Sequence, residues 1–211
     1  MHLFHAALVS FAERREIIMK HKFRIGYIYT EPFSEIEKLS EITDESLKKY
    51  KAPGVWVLFG RNEDKIWLCL QVGQSNDIGS EIKSDVQCIS GNIKEQTNRT
   101  YINQFGNVVN GYRYNIYLTP REQIYKQIGE KYLEFVFICI CCGNDCKDKK
   151  KSIEKYVAWK FRALFWRNGG AFKNQNDNVK EPQDIDKIAF DEKESVDKMV
   201  EMYHAQKRIY T

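Results

Sequence analysis

The sequence predicts an α/β (α+β) fold in which helices flank a small, mainly antiparallel three-stranded sheet. Two apolar runs separated by a short polar turn give a hairpin pattern over residues 54–73. A third and more apolar run follows at residues 134–142. Amphipathic segments with capping residues lie before, between and after these runs, as expected for helices that cover a sheet.

Composition is that of a globular chain. Of the 211 residues, 43% are hydrophobic and 29% are charged, which excludes a disordered, collagen-like or coiled-coil protein. The longest apolar stretch, residues 134–142, is about half of the roughly 20 residues that a membrane-spanning helix needs. The opening residues carry neither a basic leader nor a small-residue cleavage site. We therefore expect a cytoplasmic protein with no membrane segment.

Six cysteines occur, four of them within residues 139–146. Cysteines on a buried strand usually act as small hydrophobic residues, and a chain of this length does not need disulfides to complete its core. We therefore predict reduced thiols. No zinc site is expected, because the histidines lie far from the cysteines in sequence, at His2, His5, His21 and His204.

The N-terminal part, residues 1–52, is predicted to be a helical extension. Apolar residues recur at helical spacing from Leu3 to Ile18, and a second helical pattern covers residues 33–50, where Thr43 and Asp44 offer an internal cap.

The central domain, residues 53–175, begins with the hairpin, whose strands are predicted at 54–59 and 65–73. Asp77 then supplies a cap for a helix through Ile78, Ile82 and Val86.

A long polar surface loop is expected over residues 90–111. The predicted elements that follow it are a strand at 112–118, a helix at 120–129, the apolar strand at 134–142 and a helix at 152–167 that ends at an Asn-Gly-Gly sequence.

An acidic helical tail is predicted over residues 176–211. Residues 181–201 contain eight acids and three lysines, whereas residues 143–175 contain nine lysines or arginines and three acids. A basic segment followed by an acidic one favours a surface that faces a polyanion, although two solvated faces would give the same pattern. The closing helix carries its apolar residues at Val196, Met199, Val200 and Tyr203.

Two short motifs on the hairpin point to a family. Gly54-Val55-Trp56 opens the first strand, and Gln71-Val72-Gly73 ends the second, followed by Gln-Ser and a short helix. The later apolar strand is followed by a helix that bears Glu154, with Asn168 beyond it. This arrangement resembles the GIY-YIG nuclease superfamily over residues 54–168. The resemblance implies a metal-dependent DNA endonuclease of the restriction type, with DNA as its partner and a homodimer where the target is palindromic.

By this resemblance, Glu154 would hold one Mg²⁺ or Mn²⁺, since hard cations prefer carboxylate oxygens. Helical geometry places Glu154 within the apolar arc that contains Ile153 and Val157, where a carboxylate is costly without a metal or a cationic partner. The alternative is a carboxylate that favours the helix dipole and leans out to water.

The sequence also departs from the family. Trp56 and Gln71 occupy the positions of the two motif tyrosines, and Glu81 lies near the expected arginine, with Lys83 two residues beyond it. The catalytic candidates are therefore Glu154, Trp56, Gln71, Lys83 and Asn168. Packing within the hairpin is an alternative role for Trp56 and Gln71, and a helix terminus is one for Asn168.

DNA-binding candidates are basic residues. Arg167 lies beside Asn168, and a lysine run could follow phosphates or simply be a solvated loop. The full set is Arg99, Arg113, Lys147, Lys149, Lys150, Lys151 and Arg167. A second function is open: the same fold as a catalytically inactive DNA-binding or protein-interaction module.

Overall fold

The structure, a computed structural model, describes most of the chain. The described residues are 21–27, 39–63, 66–91, 100–102, 108–110, 120–166, 180–183 and 188–209.

A five-stranded mixed sheet forms the centre of the described molecule, with strands β1 (Lys22–Tyr27), β2 (Ser40–Glu41), β3 (Gly54–Arg61), β4 (Leu68–Ser75) and β7 (Glu134–Cys142). The strand order is β2-β1-β7-β3-β4. β3 pairs antiparallel with both β4 and β7, whereas β1 pairs parallel to β7. A separate two-stranded sheet consists of β5 (Thr100–Ile102) and β6 (Val108–Asn110).

The β3–β4 hairpin sets the register on which the candidate site depends. Trp56 pairs with Gly73 and Leu58 with Gln71, before a β-bulge shifts the register between Leu58 and Phe59. β3 is buried from Gly54 to Gly60, as expected for a central strand covered on both faces.

Helices cover both faces of the sheet. On one face lie α1 (Asp44–Lys48), α2 (Ile78–Ile89) and α3 (Pro120–Lys131), which pack over a core that includes Trp56. On the other face lie α4 (Lys150–Phe161) and α5 (Lys193–Ile209), over a core that includes Val57. No described helix has both the length and the apolar character needed to cross a membrane.

Local signals in the sequence predicted several elements correctly. Thr43 caps α1 and accepts a hydrogen bond from the Ser46 amide at 3.1 Å, while Asp77 caps α2 and accepts one from the Ser80 amide at 2.9 Å. The hairpin, the apolar strand β7 and the helix that begins at Pro120 are also present. The buried residues of α5 are the four predicted ones, Val196, Met199, Val200 and Tyr203.

The three antiparallel strands β4-β3-β7 are part of a larger mixed sheet, so the prediction of a three-stranded sheet is incomplete. Residues Lys22–Tyr27, predicted within a helical extension, form a strand parallel to β7 because Ile25 completes the core on that side. Strands β5 and β6 lie in the region predicted to be a loop.

The helix predicted to reach residue 167 ends at Phe161, with Arg162 in the left-handed conformation at φ 54°. The next residues bond to the edge of β4 instead: the Leu164 amide donates to the Cys69 carbonyl at 3.1 Å, and the Phe165 amide to the Leu70 carbonyl at 2.8 Å. We call residues 163–166 the crossing segment, because Ala163 and Trp166 pack on the α4 face and Phe165 packs on the opposite face.

Candidate functional site

Trp56 lies on the face covered by α2 and α3, and only 2% of its surface is exposed. Its ring packs edge-on against Phe137, with centroids 5.7 Å apart. Within the described part of the chain its indole nitrogen has no hydrogen-bond partner. Gly73 lies directly opposite, and a Cβ at that position would come within 2.4 Å of the Trp56 ring. Trp56 therefore has the environment of a core residue that requires glycine as its neighbour.

Gln71 is also buried, and both ends of its amide are hydrogen-bonded within the chain. Its Nε2 donates to the Phe165 carbonyl and its Oε1 accepts from the Val72 amide, each at 3.1 Å. The side chain thus joins β4 to the crossing segment. Only the bond from Val72 lies within the hairpin, where the sequence allowed a packing role for Gln71, and the bond to Phe165 reaches outside it.

Glu154 stands on α4, on the opposite face of the sheet from Trp56. Its Oε1 accepts a hydrogen bond from the indole nitrogen of Trp166 at 3.0 Å. Burial raises the pKa of this carboxyl, while the bond from Trp166 and the charges of Lys155 and Lys151 act in the opposite direction. The structure thus bears out the helical geometry that placed Glu154 on the apolar side of its helix.

The crossing segment is therefore held from two directions. Gln71 bonds to the backbone of Phe165, and Glu154 bonds to the side chain of Trp166. Trp166 is only 4% exposed, so its indole ring is part of the core on the α4 face. Arg167 and Asn168 follow this segment and lie outside the described residues, as do Arg99 and Arg113.

The predicted lysine run forms the connection into α4, and we call residues 147–151 the lysine loop. Lys147, Lys149 and Lys151 are exposed. Lys150 is partly buried and donates a hydrogen bond to the Asn76 side chain, which lies just after β4. The Gly143 amide donates to the Pro53 carbonyl at 2.8 Å, so the start of this connection is tied to the start of β3.

Cys146 precedes the lysine loop. It is 2% exposed and disulfide-bonded, so the prediction of reduced thiols is wrong for this residue. Cys69, Cys88 and Cys139 are buried thiols outside any disulfide, as expected for small hydrophobic residues. The error arose because a disulfide depends on spatial proximity, which spacing in sequence does not give.

Lys83 lies apart from Glu154. Its ammonium forms an ion pair with Asp44 of α1 at 2.7 Å, and both side chains are exposed on the face opposite α4. The structure thus brings Glu154 and the lysine loop together on α4 and the connection into it, whereas Trp56, Gln71 and Lys83 lie on the other side of the sheet.

A magnesium or manganese ion was expected at Glu154. Among the described residues, no group of three or more histidine, cysteine or acidic side chains could hold a metal ion. Mg²⁺ is often held by one or two carboxylates, with waters and substrate phosphates completing the shell. Glu154 would supply one carboxylate to such a shell, with Oε2 as the ligand, since Oε1 already accepts the hydrogen bond from Trp166.

Several contacts were not predicted from the sequence. The Glu154–Trp166 bond joins residues 12 positions apart across a helix end, and the Lys150–Asn76 bond joins residues 74 positions apart. The amphipathic position of Glu154 was the one available signal for the first, whereas the sequence held no signal for the second.

Comparison with family models, with curated proteins and with solved structures finds no match for this chain.

Proposed function

We propose that this protein binds duplex DNA, and that the lysine loop contacts the phosphate backbone. The observation that carries the proposal is the exposure of Lys147, Lys149 and Lys151 on one short connection. This connection is anchored at Gly143, at the buried Cys146 and at Lys150. Anchoring reduces the conformational entropy that the lysines would lose on binding.

Salt dependence tests this proposal directly. The logarithm of affinity for B-form DNA falls with the logarithm of salt concentration by about 0.9 for each phosphate neutralised. The triple variant Lys147→Gln/Lys149→Gln/Lys151→Gln should bind a random-sequence duplex more weakly than wild type and reduce that slope by about 1 to 3. Lys150 is left unchanged because its bond to Asn76 holds the loop.

A matched control replaces Lys126, Lys131 and Lys198 by glutamine. These lysines lie on α3 and α5, away from the lysine loop, and their replacement removes the same formal charge. Equal loss of affinity in the two triple variants would show that net charge alone governs binding. No binding by the wild type at about 50 mM salt would refute the proposal.

A second candidate function is a metal-dependent DNA endonuclease similar to the GIY-YIG restriction-type enzymes. The observation that favours it is the position of Glu154, a partly buried carboxylate one helical turn beyond Lys150 at the base of the lysine loop. In this function Glu154 would hold Mg²⁺ or Mn²⁺, and the lysine loop would hold the backbone, with Asn168 beside the phosphate by resemblance. The bound ion would stabilise charge on the phosphate and lower the pKa of water.

Cleavage assays separate the two candidates. Purified protein is incubated with unmethylated plasmid DNA in Mg²⁺ or Mn²⁺, with EDTA and the Glu154→Gln variant as controls. Discrete fragments that vanish in both controls would establish the nuclease. Intact plasmid together with salt-dependent binding would support the catalytically inactive DNA-binding module. A palindromic cleavage site would further predict a homodimer, which sedimentation would detect.

A further inference from the structure

A basic cavity of about 290 Å³ lies between α1 and the first turn of α2. Lys48, Lys51 and Lys83 line it, together with one acidic residue, Asp44. Gly79 makes the cavity geometry possible, because a Cβ there would lie 2.5 Å from the Leu47 carbonyl oxygen. The two helices therefore approach closely, and the three lysines line the space between them.

Backbone groups contribute little to anion binding in this cavity. The first amides of α2 are already hydrogen-bonded: Ile78 donates to the Ala52 carbonyl at 3.1 Å, and Gly79 to the Tyr50 carbonyl at 2.9 Å. The Ser80 amide donates to its cap, Asp77. An anion would thus meet ammonium groups, which act as point charges and suit backbone phosphates without demanding one fixed geometry.

The ammonium groups are held by weak ion pairs that an anion can displace. Lys83 pairs with Asp44 at 2.7 Å and Lys48 with Glu45 at 2.6 Å. All four side chains are at least half exposed, which leaves such pairs with little net stabilisation. A phosphate could therefore take over either lysine with a small loss of internal interaction.

A chain of neighbouring residues joins this cavity to the lysine loop. Lys150 bonds to Asn76, which precedes the cap residue Asp77. Ser80 lines the cavity together with Lys51, and it donates both its amide and its hydroxyl to the Asp77 carboxylate, at 2.9 and 2.8 Å. The surface thus runs from the lysine loop across Asn76 and Asp77 to the cavity.

We propose that the cavity continues the DNA-binding surface, so that Lys48, Lys51 and Lys83 contact the phosphate backbone of the same duplex as the lysine loop. This inference rests on the proposed DNA binding. Duplex DNA carries one phosphate charge per roughly 1.7 Å of its axis. Because the cavity and the lysine loop lie on different elements, together they would contact more than one phosphate.

The test compares variants with opposite expected effects on binding of a random-sequence duplex. Lys48→Gln/Lys51→Gln should lower affinity and reduce the salt slope by about 1 to 2. Asp44→Asn should raise affinity, because it removes a negative charge and releases Lys83. The charge-preserving variant Lys48→Arg/Lys51→Arg should keep the wild-type slope, which distinguishes lost charge from a disturbed fold.

The matched control is Lys126→Gln/Lys198→Gln, in which both lysines lie on helices away from the cavity and face an acid one turn away. If the wild type binds and the lysine-loop variant weakens binding, an unchanged slope in Lys48→Gln/Lys51→Gln overturns this inference and leaves the proposed function standing. If the wild type does not bind duplex DNA, both fail. A slope reduced equally in the control pair also overturns the inference.

Discussion

Glu154 and Trp166 form the most informative pair at the scale of single residues. A partly buried carboxyl with a raised pKa holds its proton more tightly in the folded chain than in the unfolded one. Its ionisation therefore lowers stability as the pH rises through the folded pKa, and this cost is absent below the unfolded pKa. The single indole bond offsets part of the burial but does not reverse the direction of the shift.

Glu154→Gln should remove this dependence, because glutamine keeps an acceptor for Trp166 and does not ionise. We expect the difference in unfolding free energy, variant minus wild type, to grow as the pH rises above the pKa of this carboxyl in the unfolded chain. Each unit of raised pKa contributes about 1.4 kcal/mol. Urea unfolding at a series of pH values measures the difference. A difference that stays constant with pH would mean that the carboxyl has the same pKa in the folded and unfolded chain. In a separate measurement, added Mg²⁺ that stabilises the wild type but not the variant would favour the nuclease function.

Gly73 is a second residue whose identity follows from a contact. Gly73→Ala would bring a methyl group within 2.4 Å of the rigid Trp56 ring. We expect a loss of about 1–3 kcal/mol from overpacking, measured by chemical denaturation. The double variant Trp56→Phe/Gly73→Ala should be less destabilised than the sum of the two single variants, because the smaller ring leaves room for the methyl. If the losses of stability in the two single variants add up to that of the double variant, the alanine methyl does not contact the Trp56 ring.

At the scale of elements, what the sequence could predict depends on how local the determining interactions are. The caps at Thr43 and Asp77, the hairpin, and the apolar side of α5 follow from residues within one or two turns. The end of α4 does not: the sequence remains helical in pattern to residue 167, but Leu164 and Phe165 bond to the edge of β4. The backbone of residues 163–166 could continue the helix or bond to the edge of β4, and the second outcome depends on a strand about 95 residues earlier in the chain. The Gln71–Phe165 bond spans a similar separation.

α5 belongs to the main core, although it lies in the segment predicted to be an acidic tail. Tyr203 accepts a hydrogen bond from the Cys69 amide of β4 at 3.1 Å, and Met199 is 3% exposed. Met199→Ala should therefore cost about 2–5 kcal/mol. Lys198→Ala, one residue earlier on the exposed side, should change stability by less than about 0.5 kcal/mol. Urea denaturation measures the unfolding free energy of both variants. Equal values would show that α5 contributes little to the stability of the core.

At the scale of the whole molecule, the strand that the sequence did not reveal changes which parts of the chain form one unit. β1 pairs with β7 in parallel, and parallel neighbours are joined by long connections that carry no hairpin signal. The candidate site was equally non-local. Helical periodicity placed Glu154 correctly, but the burial of Trp56 in the core on the opposite face of the sheet follows from strand register, which no local pattern shows.

A fragment of residues 53–211 should consequently fail to fold cooperatively. It lacks β1 and α1, which contribute the buried Ile25 and Leu47, and it leaves one edge of the apolar strand β7 unpaired, a condition that favours aggregation. Circular dichroism and urea denaturation of the fragment beside the full chain test this. In the full chain, Ile25→Ala should cost about 2–5 kcal/mol, whereas Lys22→Ala, exposed on the same strand, should be nearly neutral. A fragment with a sharp unfolding transition would instead show that the residues before the hairpin are an accessory to a complete domain.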